Sequence, residues 1–280
     1  MATVGFLFAE GRDELESFSP EVKPTYRDER RDPYKVKVGS SEKDDPISFA
    51  PSLIRMIASA PHQELASHTF SHYYCLDAGQ TMEQFRADLD AAMAIATAKG
   101  YTLRTLVVPR HQVRRDYFPA IEAAGFSVHR TQERNFLSVP SPSGSEPIHR
   151  RALRLMDSYV SVTGPNDVSW DSTAVGSHGL QDIRESRFLR PLNMRFHGLE
   201  PLRTQRIVNA MKYAATNGSI FHLWWHPHNF GRDLQQNLVN LRRILEMFRR
   251  LNQDGLMNSY TMAEAADGAA SIGERHAEPA

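Results

Sequence analysis

The chain has 280 residues, its 33 Lys+Arg are balanced by 33 Asp+Glu, and 41% of it is apolar. That length accommodates one large domain or two small ones with a substantial core, and zero formal net charge leaves no electrostatic footprint for nucleic acid or an anionic membrane. No apolar run approaches the ~20 residues that span a bilayer, and the N-terminus turns polar too early for a signal peptide. The single cysteine, Cys75, excludes an internal disulfide framework. The expectation is a soluble, cytoplasmic protein.

In chain order, Thr3 to Phe8 reads as a buried strand and residues 9–46 as a long surface excursion, polar and Pro-interrupted. Pro51 opens a helical stretch that leads into a strand at Glu64 to Ser67. Met82 to Lys99 carries Phe85, Leu89 and Ala96 at helical spacing and stops at Gly100. Leu103 to Val108 predicts a strand, Tyr117 to Ala124 a helix and Phe126 to His129 another strand. Residues 138–147, rich in Ser and Pro, mark a loop. Helices are predicted at His149 to Tyr159, Leu202 to Thr216 and Leu234 to Leu251, with a strand from Ser219 to Trp225. The Ala/Gly/Glu-rich residues 263–280 read as a mobile tail beyond a domain of residues 1–262. The alternation of strand and helix argues for a mainly parallel α/β sheet or barrel.

Two histidine clusters stand out. In His68-Thr-Phe-Ser-His72 the two imidazoles lie ~13 Å apart along a strand but ~5–6 Å apart on a helical turn, so a shared metal requires the strand to end near Ser67. The other reading is a pair of hydrogen-bonded core histidines. Cys75 is a further ligand or, more commonly for such a residue, a buried free thiol. In the second cluster, His222-Leu-Trp224-Trp-His226-Pro-His228-Asn229, a strand that persists puts His222, Trp224, His226 and His228 on one face, with Phe221, Leu223 and Trp225 on the other. His222 is read as structural, while His226 and His228 are read as site residues. Trp224 is a platform for a sugar ring or a core aromatic. Arg110, after Val107-Val108-Pro109, is suited to gripping an anionic group or orienting a carboxylate. Three strand ends that finish in polar, chemically capable residues point to an enzyme.

At these residues the sequence resembles the polysaccharide deacetylase family, over most of residues 1–262, and in particular a branch associated with surface-polysaccharide biosynthesis. His68-Thr69-Phe70-Ser71-His72 matches the family's His-(Ser/Thr)-x-x-His metal motif. Leu223-Trp-Trp-His226 resembles its late Leu-x-x-His-type motif, and Pro109-Arg110-His111-Gln112 resembles its Arg-containing motif in variant form. The resemblance implies a distorted (β/α) barrel and a divalent metal, usually zinc (Zn2+). It implies hydrolysis of an N- or O-acetyl group on a carbohydrate. It assigns His68 and His72 as ligands, His226 as catalytic acid and Arg110 as the group that orients the base, with Trp224, His228 and Asn229 left to hold substrate. The family's Asp-Asp strand end has no counterpart before the Ala2 to Phe6 segment, which resembles the family's second strand. A barrel lacking its first strand is therefore expected, with a reading frame starting upstream of Met1 as one explanation and a non-catalytic carbohydrate-binding barrel as the alternative function. Asp44, Asp45, Glu64 and Cys75 are the residues open to completing the ligand set, and exposed strand edges point to a homo-oligomer.

Overall fold

The computed structural model describes residues 1–138, 146–173 and 179–277. Seven short strands are described: β1 (Ala2–Thr3), β2 (Ala66–Ser67), β3 (Thr105–Val107), β4 (Val128–Arg130), β5 (Gln181–Asp182), β6 (Arg187–Phe188) and β7 (Leu223–Trp224). Every pairing between them is parallel, in the orders β1-β2-β3-β4-β5 and β6-β7. The two sheets are joined by one extended stretch. Ile183 and Glu185 donate to His129 and Thr131 beside β4, after which Ser186, Arg187 and Leu189 donate to His222 and Trp224 of β7. The all-parallel pairing is what the expected α/β architecture requires. Among the described residues β1 and β7 are not paired to each other.

The helices are α1 (Arg12–Phe18), α2 (Pro51–Ser59), α3 (Met82–Ala98), α4 (Phe118–Ala123), α5 (Ile148–Asp157), α6 (Glu200–Thr216), α7 (Pro227–Phe230), α8 (Leu234–Gln253) and α9 (Met262–Ala277). The best predicted helix, α3, is built as its sequence requires. Thr81 and Gln84 form a reciprocal capping box, Phe85, Leu89 and Ile95 are buried, and Gly100 takes φ +80° just past the end. That buried face joins Phe8, Phe70, Tyr73 and Ile121 in the main core. A second core, with Ile207, Met211 and Ile244 of α6 and α8, packs with the outward Phe221 and Leu223 of β7.

Three sequence expectations change. The Thr3 to Phe8 segment leaves the sheet after Thr3 and turns into a 3-10 helix at Gly5–Phe8. The turn packs tightly at Gly5, where a Cβ would stand 2.2 Å from the Phe70 ring. The surface excursion contains α1 and two 3-10 turns, capped by Asp28 and Asp32. The expected mobile tail is, through Ala277, the helix α9. Thr261 and Glu264 cap it reciprocally (2.7 and 3.2 Å), and Arg104 pairs with Asp267 at 2.8 Å. Ala265, Ala266 and Ala269 are buried, so the small residues that read as a tail make a close-packing stripe. Of the expected loop 138–147, residues 139–145 lie outside the described residues. Among the described residues no helix is long and apolar enough to cross a membrane.

Candidate active site

The first histidine motif folds as its spacing demands. Strand β2 ends at Ser67, and Thr69 and His72 take left-handed φ values of +65° and +62°. Such φ values are rare for β-branched or bulky residues and need surrounding support. Asp88 of α3 supplies it: fully buried, its carboxylate accepts from the Phe70 amide at 2.7 Å, from the Ser71 amide at 3.2 Å and from the Ser71 hydroxyl. Thr69 Oγ1 accepts from the Tyr73 amide at 2.7 Å. The turn brings the rings of His68 and His72 to 4.8 Å between centroids. Val107 O at the end of β3 lies 2.5 Å from His68 Nδ1. A carbonyl only accepts, so Nδ1 carries the proton and Nε2 presents its lone pair.

The second cluster departs from the strand reading at its end. After Trp224 the chain breaks, His226 caps α7, and Pro227 opens that helix. His228 therefore sits exposed on a helical turn, its ring 5.2 Å from that of His226. Asn229 closes the turn by donating its amide to His226 O at 3.1 Å. His222 is structural as expected, with its Nδ1 donating to Arg184 O at 3.1 Å. Trp224 is central: its ring centroid lies 4.4 Å from Phe188, 5.1 Å from His226 and 5.5 Å from His111.

Arg110 and His111 both adopt left-handed backbone, with φ of +53° and +54°. The turn leaves Arg110 exposed, its guanidinium 5.2 Å over the Tyr74 ring, and drives His111 inward. The buried arginine of the site is instead Arg130, from the end of β4, whose guanidinium carbon stands 4.3 Å over Trp224. Glu185, between β5 and β6, places Oε2 3.2 Å from His111 Nε2 and 3.9 Å from Arg130 Nε. Arg130, Glu185 and Phe188 were not singled out from the sequence. Val128-His129-Arg130 does end a predicted strand, which is the signal that places a side chain at this rim.

Burial favours the neutral form of His68, His72, His111, His222 and His226. His68 is pushed down to about 3 by burial and by His72, and His72 to about 4 by burial and by Arg110. Burial lowers His111 and His226 as well. His226 opposes protonation of both His68 and His72, which ties the two clusters into one electrostatic group. Conversely, burial pushes Glu185 up to about 8. Its folded value exceeds the ordinary 4.5, so the folded chain holds a proton that the unfolded chain releases, and stability falls as pH rises from 4.5 to 8. Chemical denaturation between pH 6.5 and 8 is expected to lose up to ~1.4 kcal/mol per pH unit relative to Glu185→Gln. Parallel curves for the two proteins contradict this.

The residues open to completing a ligand set lie elsewhere. Asp45 accepts from the Gly39 and Ser48 amides in the 39–48 loop, and Asp44 bonds Ser40. Glu64 bonds Thr105 and the Ala263 amide, before β2 rather than after it. Cys75 is a core thiol that burial holds protonated. Among the described residues no group of three or more His, Cys, Asp or Glu is arranged to hold a metal. His68 and His72 fit two positions of a zinc site, and the described residues do not supply the third protein ligand typical of catalytic zinc.

No protein-family model matches the chain, and no curated protein matches it. Among solved structures, the Xyl-CE4 domain of a multidomain xylanase from the hindgut metagenome of Trinervitermes trinervoides is similar over 65% of this chain and 68% of that one. The identity is 11% and the TM-score 0.25, an overlap that bears on neither the activity nor the site residues of this chain.

Proposed function

We propose that this chain hydrolyses an acyl group, acetyl in the first instance, from nitrogen or oxygen of a carbohydrate. One observation carries the reading: neutral imidazoles from two separate strand ends, His68 and His72 from one and His226 from the other, form one electrostatic group beside an aromatic stack. The sugar ring lies against Trp224 and Phe188. His226, unprotonated at neutral pH, takes a proton from water as the water oxygen bonds to the acyl carbon. The resulting imidazolium returns that proton to the leaving nitrogen or oxygen as its bond to the acyl carbon breaks, giving acetate and the deacylated sugar. One residue thus serves first as base and then as the acid that the motif implies. Zinc enters the proposal only as a group that His68 and His72 would hold; none of these steps passes through it.

A ligand set that is incomplete among the described residues favours a second reading, a carbohydrate-binding chain without turnover. Acetate release, followed by proton NMR on N-acetylated chitooligosaccharides and O-acetylated oligosaccharides with and without added zinc, separates the two. Hydrolysis predicts multiple turnovers on at least one substrate. Binding without release on both supports the second reading and overturns the first.

A further inference from the structure

The arginines buried elsewhere in the chain have close acidic or hydroxyl partners: Arg184, 4.0 Å from Asp182, donates to Ser172. Arg187 Nη1 donates to Asp157 at 2.9 Å, Arg206 Nη2 to the same carboxylate at 2.7 Å, and Arg203 to Glu200. Arg130 does not follow this pattern. It is 9% exposed, yet its nearest carboxylate oxygen among the described residues is 3.9 Å away, on Glu185, and its Nε, like those of Arg184, Arg187 and Arg206, has no hydrogen-bond partner. A buried cation without a close carboxylate is costly unless something compensates it.

The surroundings indicate what that something is. Trp224 Nε1 is also buried and unpartnered, as is His111 Nδ1. Indole and guanidinium nitrogens only donate, so the group that satisfies them must accept. Burial pushes the Glu185 carboxyl up, which weakens the neutralising charge it offers Arg130 across 3.9 Å. Beyond Phe188, which stacks on Trp224, lies a second guanidinium: Arg190, 5.8 Å from the Phe188 centroid and without an ion pair among the described residues. Two aromatic rings are thus flanked by two arginines, in a protein whose formal net charge is zero. Local positive charge beside a hydrophobic platform recognises a ring that bears an anion.

We propose that Arg130 is the anion-binding group of this site and that the sugar bound there carries a carboxylate. The planar, two-oxygen carboxylate matches the guanidinium fork, and the Trp224–Phe188 stack receives the ring. That the ligand is a sugar rests on the function proposed above; that it is an anion rests on Arg130 and its neighbours alone.

Isothermal titration of the intact protein tests this with glucuronate, glucose, acetate and inorganic phosphate as probes. Glucuronate is expected to bind at least tenfold more tightly than each of the other three. In Arg130→Met its affinity is expected to fall about 10- to 100-fold, the range of a charge-assisted hydrogen bond. Arg130→Lys, which keeps the charge but loses the fork, is expected to fall between, and thermal melting checks that both variants fold. Should both fail to fold, the wild-type ranking of the four probes and Trp224→Phe, which removes the indole donor, decide the matter. Equal binding of glucose and glucuronate, absence of glucuronate binding, or variants that bind as the wild type does would overturn the proposal. Acetate or phosphate binding as tightly as glucuronate would make this a bare anion site and overturn the sugar assignment. Glucuronate binding without acetate release strikes only the hydrolase reading, whereas acetate release with no preference for glucuronate strikes only this one.

Discussion

Replacing Asp88 by alanine is expected to destabilise the chain by roughly 3 kcal/mol or more, read as a lowered urea midpoint. The carboxylate accepts three hydrogen bonds in a fully buried position, from the Phe70 amide, the Ser71 amide and the Ser71 hydroxyl. Each buried donor left unpaired costs about 1–3 kcal/mol, and the vacated volume adds a cavity term. Burial raises Asp88 to about 6, while the hydrogen bonds from Ser71 and Phe70 draw it back toward the ionised form. Asp88→Asn keeps the volume and some of the acceptor capacity and is expected to lose less. The consequence reaches the site, because those bonds hold the left-handed residues Thr69 and His72 that bring the two histidine rings together. An alanine variant within 0.5 kcal/mol of the wild type, on the scale of ordinary surface substitutions, contradicts this account of the motif.

The largest effect on activity is expected from His226→Gln. A proton-transfer group contributes about 10²–10⁴-fold, so acyl hydrolysis should fall at least ~100-fold with the fold intact by circular dichroism. The pH profile gives an independent check. His226 is lowered below its ordinary 6.5 by burial, by His228 and by Arg130. The neutral ring is the active form, so wild-type kcat/KM should rise with pH through a midpoint below 6.5 and then level off. Loss of that acidic limb in the variant is the expected signature. A variant that turns over normally, or a wild-type rate that increases as pH falls, removes His226 from the chemistry.

How far the sequence could be read depended on where local spacing decides structure. His-x-x-x-His allows a shared site only if the strand stops at Ser67, and the strand does stop there. The capped, periodic run behind α3 was legible for the same reason, since its burial follows a 3.6-residue period. What was not legible depended on distant partners. Nothing near Arg110 in the sequence shows that two left-handed residues will turn it outward and send His111 in. Arg130 and Glu185 are 55 positions apart and meet only because the stretch after β5 runs on beside β4. In the second histidine cluster the strand expected to reach Trp225 ends at Trp224, and Pro227, the residue that breaks it in sequence, opens α7. In α9, small residues that signal mobility by composition signal close packing once Trp170 and β4 lie beside them.

The central claim is one of place: sugar binds at the strand ends between the two histidine clusters. The most direct test is a 15N NMR titration of histidine side chains with N-acetylated chitotriose. The account predicts that the ring signals of His68, His72, His111 and His226 move together and saturably, while exposed His62 and His197 stay fixed. The contradicting result is binding that leaves those four signals unmoved and instead perturbs residues of the apolar cavity behind β7, lined by Phe221, Leu241 and Phe248.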